Sequence, residues 1–227
     1  MLNIALCNLN LAESETAGCL RIQAALAVLA PDAVVHHVHW EELRAQPSLV
    51  VGAHALVLGP QGSPFSAYDP GFLPWLRSVV EGFEGPVLGV CGGMQALALA
   101  WGGELHTASG EALGNTYDGM RKIRGPLPVT LEMTLVPGWM PTAAKTHLSR
   151  WEAHGAQCFE SHVEQVLQAP ADFARVAHSQ PTPVEAMMHR TLPIMASQFH
   201  PELGWDEGCA AGRLWLDAWL EVVRDRA

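Results

Sequence analysis

The sequence predicts an α/β fold with a mostly parallel, doubly wound sheet and a small antiparallel addition. In the first half of the chain, short apolar runs of strand length alternate with stretches of helical periodicity, which is typical of a parallel sheet covered by helices on both faces. Near the end, three short apolar runs separated by Pro-containing turns indicate antiparallel strands that return to this sheet. A chain of 227 residues fits one large domain, and we expect a single domain over 1–227.

The parallel part is predicted from segments of two periodicities. The predicted strands are 2–8, 33–39, 55–58 and 86–88, and the predicted helices are 15–29, 72–82 and 94–100. Helix 15–29 is recognised by Leu20, Ala24, Ala27 and Val28 at helical spacing. Ligands of such sheets bind beyond the carboxyl ends of the strands.

The second half of the chain is less regular between residues 104 and 157. Within it, the alternating run 128–133 predicts an antiparallel strand, and 174–177, 184–189 and 194–199 are predicted as three further strands. A closing helix is predicted over 206–223, where Leu214, Ala218 and Val222 recur at helical spacing. Trp215 and Trp219 of this helix are interpreted as core anchors rather than as part of a cofactor site.

Composition excludes several classes of function. The 23 acidic and 13 basic residues give a formal charge of −10, which opposes binding to nucleic acid or to an anionic membrane surface. No apolar run reaches the ~18 residues of a spanning helix. The N-terminus also lacks the basic start of a secretory signal. We therefore expect a cytoplasmic protein.

Neither the cysteines nor the histidines suggest a metal or another cofactor. The five cysteines are scattered without CxxC pairs, as expected of a protein in a reducing compartment. The His36-His37-Val38-His39 cluster lies on a predicted strand, where His36 and His37 point to opposite faces. No further ligand follows at metal-binding spacing. We expect no metal site and no cofactor.

The fourth predicted strand turns into a helix at Gly89-Val90-Cys91-Gly92-Gly93. A strand that enters a helix through a G-x-nucleophile-x-G segment has the form of a nucleophile elbow, with glycines because the turn leaves no room for side chains. The positive end of the helix dipole would favour the Cys91 thiolate. The pentapeptide alone leaves another interpretation open, since free Cys is often a buried apolar side chain and glycine pairs are common in turns.

A thiol nucleophile needs a base, and Gln198-Phe199-His200-Pro201-Glu202 supplies one with an orienting carboxylate. In an extended segment, residues two apart project to the same face, so Glu202 is expected beside His200. The carboxylate would hold the imidazole in one tautomer and stabilise its charged form. The N–H of Gly92 and a second N–H from the loop at Gly59 are expected to stabilise an oxyanion.

Four segments resemble the motifs of the class I (triad type) glutamine amidotransferases: GPQ at 59–61, GVCGGMQ at 89–95, ESH at 160–162 and QFHPE at 198–202. The resemblance is closest to the amidotransferase domain of guanosine monophosphate synthetase and its stand-alone relatives, and it covers most of the chain. It implies a flavodoxin-like fold. It also implies a glutaminase that forms a γ-glutamyl thioester and releases ammonia for an acceptor.

The resemblance implies a role for each matching residue. Cys91 would attack the carboxamide of glutamine, His200 would pass the proton to the leaving ammonia, and Glu202 would orient His200. Gly59 and Gly92 would donate their N–H groups to the oxyanion. The loop at 59–64 aligns with the family in two ways, so Gly62 is an alternative to Gly59. Gly92 stands where a larger residue is usual, which would leave its amide less firmly held.

The same resemblance implies the walls of a glutamine pocket. Gln95 would help to hold the amino-acid end of glutamine, the alternative being a helix-surface residue. Ser161 and His162 would line the pocket, with His162 on the substrate side rather than acting as a second base. Glu164 stands where the closest relatives have Asp, so a direct carboxylate contact is not established by the resemblance.

We expect no synthetase domain after Ala227, so the ammonia would either be lost to water or pass to a separate synthetase or acceptor-binding subunit. The irregular region 104–157 is the candidate docking surface. Its basic residues Arg121, Lys122 and Arg124 would meet an acidic partner or an anionic acceptor, the alternative being a solvated charge cluster. Two other functions stay open: a hydrolase of another γ-glutamyl compound with the same triad, and a non-catalytic regulatory relative.

Overall fold

The computed structural model describes residues 1–108, 117–151 and 156–227. The strands are β1 (Asn3–Asn8), β2 (Val34–His39), β3 (Ala55–Leu58), β4 (Val87–Val90), β5 (Leu105–Thr107), β6 (Ile123–Pro128), β7 (Thr130–Leu131), β8 (Gln157–His162), β9 (Glu164–Val166), β10 (Phe173–His178), β11 (Ala186–His189) and β12 (Ile194–Ser197). The helices are α1 (Ala17–Leu29), α2 (Trp40–Ala45), α3 (Phe72–Gly82), α4 (Gly92–Ala100), α5 (Thr142–Leu148) and α6 (Ala210–Arg226).

Eight strands form the central sheet, in the order β2-β1-β3-β4-β12-β11-β10-β7. The first five pair in parallel, and β11, β10 and β7 extend the sheet in antiparallel pairs. From β1 the chain first adds β2 on one side and then β3 and β4 on the other, which is the winding of a doubly wound sheet. The predicted fold class, mostly parallel with an antiparallel addition, is confirmed.

Helices cover both faces of the sheet and bury two apolar clusters. On one face, α1, α5 and α6 enclose Ile22, Leu148 and Trp215. On the other face, α2, α3 and α4 enclose Phe72 and Leu97 among others. Both tryptophans predicted as core anchors of the last helix are completely buried. Across the described ranges, no helix is both long and apolar enough to cross a bilayer.

The rotation of α1 differs from what its spacing suggests. Leu20 and Val28, which belong to the pattern that predicts the helix, are 53% and 64% exposed, while Ile22 and Leu26 face the core. The helix is apolar on both sides, so periodicity alone does not decide which side is buried. In the observed rotation, Gly18 packs closely against the loop after β3, where an added Cβ would lie only 2.4 Å from Cγ of Pro60.

Other boundaries differ from the sequence prediction. The predicted strand 128–133 is reduced to β7, because residue 128 still belongs to β6. The last helix begins at Ala210 rather than at 206, since Gly208 adopts a φ of 89° that interrupts helical backbone. Two antiparallel ribbons, β5 with β9 and β6 with β8, were not predicted. They give regular structure to the region predicted as irregular, apart from residues 109–116 and 152–155, which lie outside the described ranges.

The junction of β4 and α4 depends on close backbone packing. A Cβ on Gly93 would lie 2.1 Å from the carbonyl oxygen of Leu58, which belongs to the neighbouring strand β3. A Cβ on Gly89 would lie 2.9 Å from the carbonyl carbon of Gly93. Because these are backbone atoms of a strand and of a helix, they cannot move aside as a side chain would. The helix can start this close to the sheet only with glycine at these positions.

We expect Gly93→Ala to destabilise the protein by about 1–3 kcal/mol, the usual cost of overpacking a core. Urea denaturation followed by circular dichroism would measure the loss. The matched control is Gly82→Ala at the end of α3, where no atom lies within 4 Å of an added Cβ. Equal midpoints for the two variants would contradict the packing described here.

Candidate active site

Cys91 lies in the one-residue junction between β4 and α4, with φ 51° and ψ −104°. A positive φ is costly for a residue with a side chain and is retained where the surrounding structure enforces it. Here the Cys91 N–H donates to the carbonyl of Ser197 at 2.7 Å, and the Cys91 carbonyl accepts from Gln95 N–H at 3.0 Å. The neighbouring strand and the first helical turn thus fix the predicted nucleophile at the carboxyl edge of the sheet.

The other cysteines have a different environment. Burial raises the pKa of all four remaining thiols: Cys7, Cys19, Cys158 and Cys209. A thiol with a raised pKa is a poor source of thiolate, so these four behave as small apolar side chains. Among the five, Cys91 lines the cavities at the end of the sheet.

Polar groups surround the Cys91 sulfur. The side-chain amide of Gln198 donates to Sγ at 3.6 Å, and the carbonyl oxygen of Ser161 lies 4.0 Å from Sγ. An amide donor favours the thiolate, whereas a carbonyl acceptor suits the S–H form. The sequence motif contained Gln198, but its contact with the sulfur was not anticipated.

His200 and Glu202 lie side by side, with 2.8 Å between Nδ1 of His200 and Oε1 of Glu202, and both side chains are buried. The sequence predicted this contact from an extended segment, but the backbone here is not a continuous strand. The strand β12 ends at Ser197, and His200 instead forms an isolated bridge in which its N–H donates to the Phe159 carbonyl at 2.8 Å. Glu202 follows in a turn. The contact between the two side chains therefore comes from a turn rather than from strand alternation.

The electrostatics of His200 favour its charged form. Burial acts to lower the pKa of His200, but the Glu202 carboxylate and the charge of Cys91 raise it by more, and the pKa lies well above its usual range. His200 can therefore hold a proton beside Cys91. The carboxylate occupies Nδ1, which leaves Nε2 for proton exchange with the thiol and the substrate.

The expected oxyanion donors need a correction. The Gly59 N–H donates to the Cys7 carbonyl at 2.9 Å within the sheet, so it is not available to a substrate. The Gly62 N–H donates to Oδ1 of Asn10 at 2.9 Å, which removes the alternative as well. Neither hydrogen bond could be deduced from the positions of the glycines in the sequence, because both depend on which residues lie beside the loop in the fold.

Gln61 lies between these glycines, and among the described residues its N–H has no acceptor. A Cβ on Gly92 would lie 2.7 Å from the Gln61 nitrogen and 2.4 Å from its Cγ. The N–H of Gly92 is in the first turn of α4, where the helix offers no acceptor. The Gln61 backbone therefore fills the space that a larger residue at 92 would take, and the N–H groups of Gln61 and Gly92 are the two candidate oxyanion donors.

Two cavities meet at Cys91. The inner cavity, about 320 Å³, is lined by Gln61, Gly62, Cys91, Gln95, Tyr117, Asp118, Met120, Lys122, Ser161, His162, Val163 and Glu164. The outer cavity, about 460 Å³, shares Gln61, Gly62, Cys91, Lys122 and Ser161 and extends past His200 to the start of α1. Larger apolar grooves elsewhere lack these groups. The inner cavity is the size of a small-molecule site.

The predicted pocket residues line the inner cavity, but the side chain of Gln95 already donates hydrogen bonds within the protein. Its buried amide nitrogen donates to the carbonyl of Glu164 at 2.6 Å and to Oε1 of Gln198 at 3.1 Å. Gln95 thus ties α4 to β9 and to Gln198. Its predicted contact with glutamine stays a prediction.

Glu164 and Tyr117 form one wall of the inner cavity. The Tyr117 hydroxyl donates to Oε2 of Glu164 at 2.7 Å. Burial raises the pKa of Glu164, and the hydrogen bond from Tyr117 counteracts this. Tyr117 was missed in the sequence because it belongs to no recognised motif. Its partner Glu164 was noted only as a departure from the family.

The histidine cluster on β2 has local roles. Nε2 of His37 lies 2.9 Å from Oε1 of Gln23, and Nε2 of the buried His39 lies 2.9 Å from the carbonyl oxygen of Asn10. In the described parts of the chain, no group of three or more His, Cys, Asp or Glu residues is arranged to hold a metal ion.

Comparison with known proteins places this site in a family. A model of the glutamine amidotransferase class-I family matches residues 34–208. One subunit of the glutamine-hydrolyzing GMP synthase of Methanocaldococcus jannaschii is 35% identical over 124 residues, which cover 54% of this chain and 53% of that protein. The corresponding GMP synthase subunit of Methanothrix thermoacetophila is 28% identical over 172 residues, covering 76% and 78%. This chain therefore matches about half the length of the first relative.

A solved structure of a glutamine amidotransferase from Thermotoga maritima superimposes with a TM-score of 0.64 at 16% identity, covering 98% of this chain and 97% of that one. At this identity the likeness shows the fold alone. The family match itself spans most of the chain, including Cys91 and His200. The chain therefore belongs to the class I glutamine amidotransferases, a family of enzymes with a cysteine nucleophile.

Proposed function

We propose that this protein hydrolyses the side-chain amide of glutamine with Cys91, His200 and Glu202 and releases ammonia for a separate acceptor. The observation that carries the proposal is the buried His200–Glu202 contact of 2.8 Å beside a thiol held at a strand-to-helix junction. A base, its orienting carboxylate and a fixed nucleophile are the parts that acyl transfer needs.

The reaction follows from the positions of these groups. The Cys91 thiolate attacks the carboxamide carbon, and the N–H groups of Gly92 and Gln61 stabilise the oxyanion. The carbon–nitrogen bond then breaks as the His200 imidazolium gives its proton to the nitrogen, which leaves ammonia and a γ-glutamyl thioester. Neutral His200 next takes a proton from water as the water oxygen attacks the thioester. The carbon–sulfur bond breaks and glutamate leaves. This restores the Cys91 thiolate and the His200 imidazolium.

The inner cavity fits the amino-acid end of glutamine. Glu164 provides a carboxylate for the substrate ammonium group, and the Tyr117 hydroxyl donates a hydrogen bond to that carboxylate. Lys122 lines the same cavity and provides a cation for the substrate carboxylate. Ser161 and His162 line the same cavity. A carboxylate and a cation that line the same cavity would favour a free amino acid.

We expect Cys91→Ala to abolish ammonia release from glutamine without loss of stability, because the fold at the elbow depends on Gly89 and Gly93 rather than on the sulfur. Ammonia release by the purified variant, together with its thermal unfolding, would test this. A glutamine-analogue electrophile should label Cys91 stoichiometrically in the unmodified protein.

The matched control is Cys7→Ala, which removes a buried thiol that lines neither cavity and should keep the activity. Labelling of another cysteine with Cys91 unmodified would contradict the assignment. Faster turnover of γ-glutamyl amines than of glutamine would instead favour the hydrolase of another γ-glutamyl compound.

Glu164→Gln should raise the KM for glutamine by about 10–100-fold with a smaller change in kcat. This range corresponds to the ~1.5–3 kcal/mol of a hydrogen bond to a charged group. Steady-state kinetics with glutamine would measure it. Glu104→Gln, an exposed carboxylate outside both cavities, is the control. An unchanged KM in Glu164→Gln would show that the substrate ammonium binds elsewhere.

The partner that carries the acceptor would cover the outer cavity. The relatives named as one subunit of GMP synthase support an assembly with a separate synthetase. The start of α1 and Lys122 belong to the rim of the outer cavity, and ammonia released at Cys91 would leave past this rim. Leu20 of α1 is exposed beside this rim, and the exposed Arg121 and Arg124 flank Lys122. A partner with acidic side chains opposite this rim would keep ammonia from escaping to water.

Reversing Arg121 and Arg124 together to Glu should leave the basal glutaminase rate unchanged and weaken stimulation by the synthetase subunit from the same organism. Lys122 is kept, because it lines the substrate cavity. The effect should shrink at high salt, since exposed charges are screened. Reversal of Arg224 and Arg226 at the end of α6 is the control. Full stimulation of the Arg121/Arg124 variant would exclude this surface.

A further inference from the structure

The side-chain amide of Gln198 contacts the Cys91 sulfur, and the proposed chemistry assigns it no role. Gln198 is completely buried, and its backbone N–H donates to the carbonyl of Glu185 at 2.7 Å. The preceding carbonyl, that of Ser197, accepts from the Cys91 N–H at 2.7 Å. The side chain thus starts from a fixed backbone beside the nucleophile. A buried carboxamide needs hydrogen-bond partners, and Nε2 of Gln198 donates to Sγ of Cys91 at 3.6 Å.

A second amide decides which end of the Gln198 side chain faces the sulfur. Nε2 of the buried Gln95 donates to the backbone carbonyl of Glu164 at 2.6 Å. A carbonyl can only accept, so the group that Gln95 presents there is its NH2. The same NH2 donates to Oε1 of Gln198 at 3.1 Å, which directs the Gln198 oxygen toward Gln95. The Gln198 NH2 therefore points toward Cys91, and the sulfur is faced by a donor.

A donor at this position distinguishes between the two forms of the sulfur. An amide N–H forms a charge-assisted hydrogen bond with a thiolate, which is stronger than a bond between neutral groups. A thiol gains less, because its sulfur is only a weak acceptor. Its S–H can donate to the carbonyl oxygen of Ser161, which lies farther away, at 4.0 Å from Sγ. Cys91 is only 5% exposed, so water does little to stabilise a negative sulfur there.

We propose that Gln198 is a catalytic residue whose side-chain amide stabilises the Cys91 thiolate, and that Gln95 is the positioning residue that orients this amide. The inference rests on the proposed function, which makes Cys91 the nucleophile. The thiol proton passes to His200, and the Gln198 N–H stabilises the negative charge left on the sulfur before it attacks the carboxamide. The same N–H acts again when the carbon–sulfur bond of the thioester breaks and its electron pair returns to the sulfur.

The ionisable groups around Cys91 are the same in the wild-type protein and in variants of the amide. Those that line a cavity with Cys91 include Arg21 on α1, Tyr117 and Lys122 before β6, His162 on β8, Glu164 on β9 and His200 after β12. Burial and the hydrogen bond with Glu164 raise the pKa of Tyr117, which therefore stays neutral. Burial lowers the pKa of His162 to about 4, and Oε2 of the buried Glu160 lies 3.2 Å from its Nε2. A comparison of variants therefore isolates the effect of the Gln198 amide.

Gln198→Leu removes the donor and keeps a side chain of similar size. Alkylation of Cys91 by iodoacetamide, measured against pH without glutamine, reports the thiolate. The midpoint of this profile should rise by about one to two pH units, because losing a hydrogen bond to a charged group corresponds to about a 10–100-fold change. The kcat for glutamine should fall near pH 7, with a smaller change in KM. Gln165→Leu, at a buried glutamine that lines neither cavity, should keep the wild-type profile.

A double-mutant cycle tests the role of Gln95. Gln95→Met removes the group that orients Gln198 while the Gln198 amide remains, so the midpoint should rise by less than in Gln198→Leu. In the Gln198→Leu background, Gln95→Met should cause no further rise, because Gln95 acts through Gln198. A Gln95 that only holds glutamine would instead raise the KM in both backgrounds and leave the alkylation profile unchanged, which would contradict its positioning role.

Thermal unfolding shows which variants fold, and Gln95→Met carries the test of the thiolate if Gln198→Leu does not fold. A folded Gln198→Leu variant with the alkylation midpoint of the wild-type protein would overturn the proposal. Equal rises caused by Gln95→Met in both backgrounds would also overturn it. If the wild-type protein releases no ammonia from glutamine, the proposed function fails, and the alkylation profile still decides whether Gln198 stabilises the thiolate.

Discussion

The site depends on a single backbone constraint, the one-residue connection between β4 and α4. Cys91 adopts a positive φ there, and its N–H is tied to Ser197 on the adjacent strand. The connection can be this short only because Gly93 packs against the carbonyl of Leu58 without a side chain. The same geometry places the thiol at the positive end of a helix and the Gly92 N–H beside it. The positions of the proposed nucleophile and of one proposed oxyanion donor thus depend on one packing contact.

The elbow and the base were predictable because they are local. A glycine frame around Cys91 specifies a tight strand-to-helix turn, and the His-x-Glu spacing brings His200 and Glu202 together whether the segment is a strand or a turn. The sheet was predictable for a similar reason, since buried parallel strands read as continuous apolar runs. The helix α1 shows the limit of this reasoning. Both of its sides carry apolar residues, so the spacing of these residues does not determine which side is buried.

The rest of the site depends on contacts between distant segments. The Gly59 N–H donates to the carbonyl of Cys7, which lies far away in the sequence. No local sequence pattern predicts this hydrogen bond. The pairing of β8 with β6, and the bridge from β8 to His200, could not be predicted either. The only sign of β8 in the sequence is the alternation of residues that face inward and outward. As a result, Tyr117 had no signal in the sequence, and the motifs that contain Gln61 and Glu160 did not indicate what these two residues contact.

The central claim is that glutamine passes through a thioester on Cys91. Acid quenching of the protein during turnover, followed by peptide mass spectrometry, tests this most directly. The account predicts one γ-glutamyl group on the peptide that contains Cys91, and none on the same peptide of the Cys91→Ala variant. Steady turnover with Cys91 unmodified and the glutamyl group on another residue would contradict it.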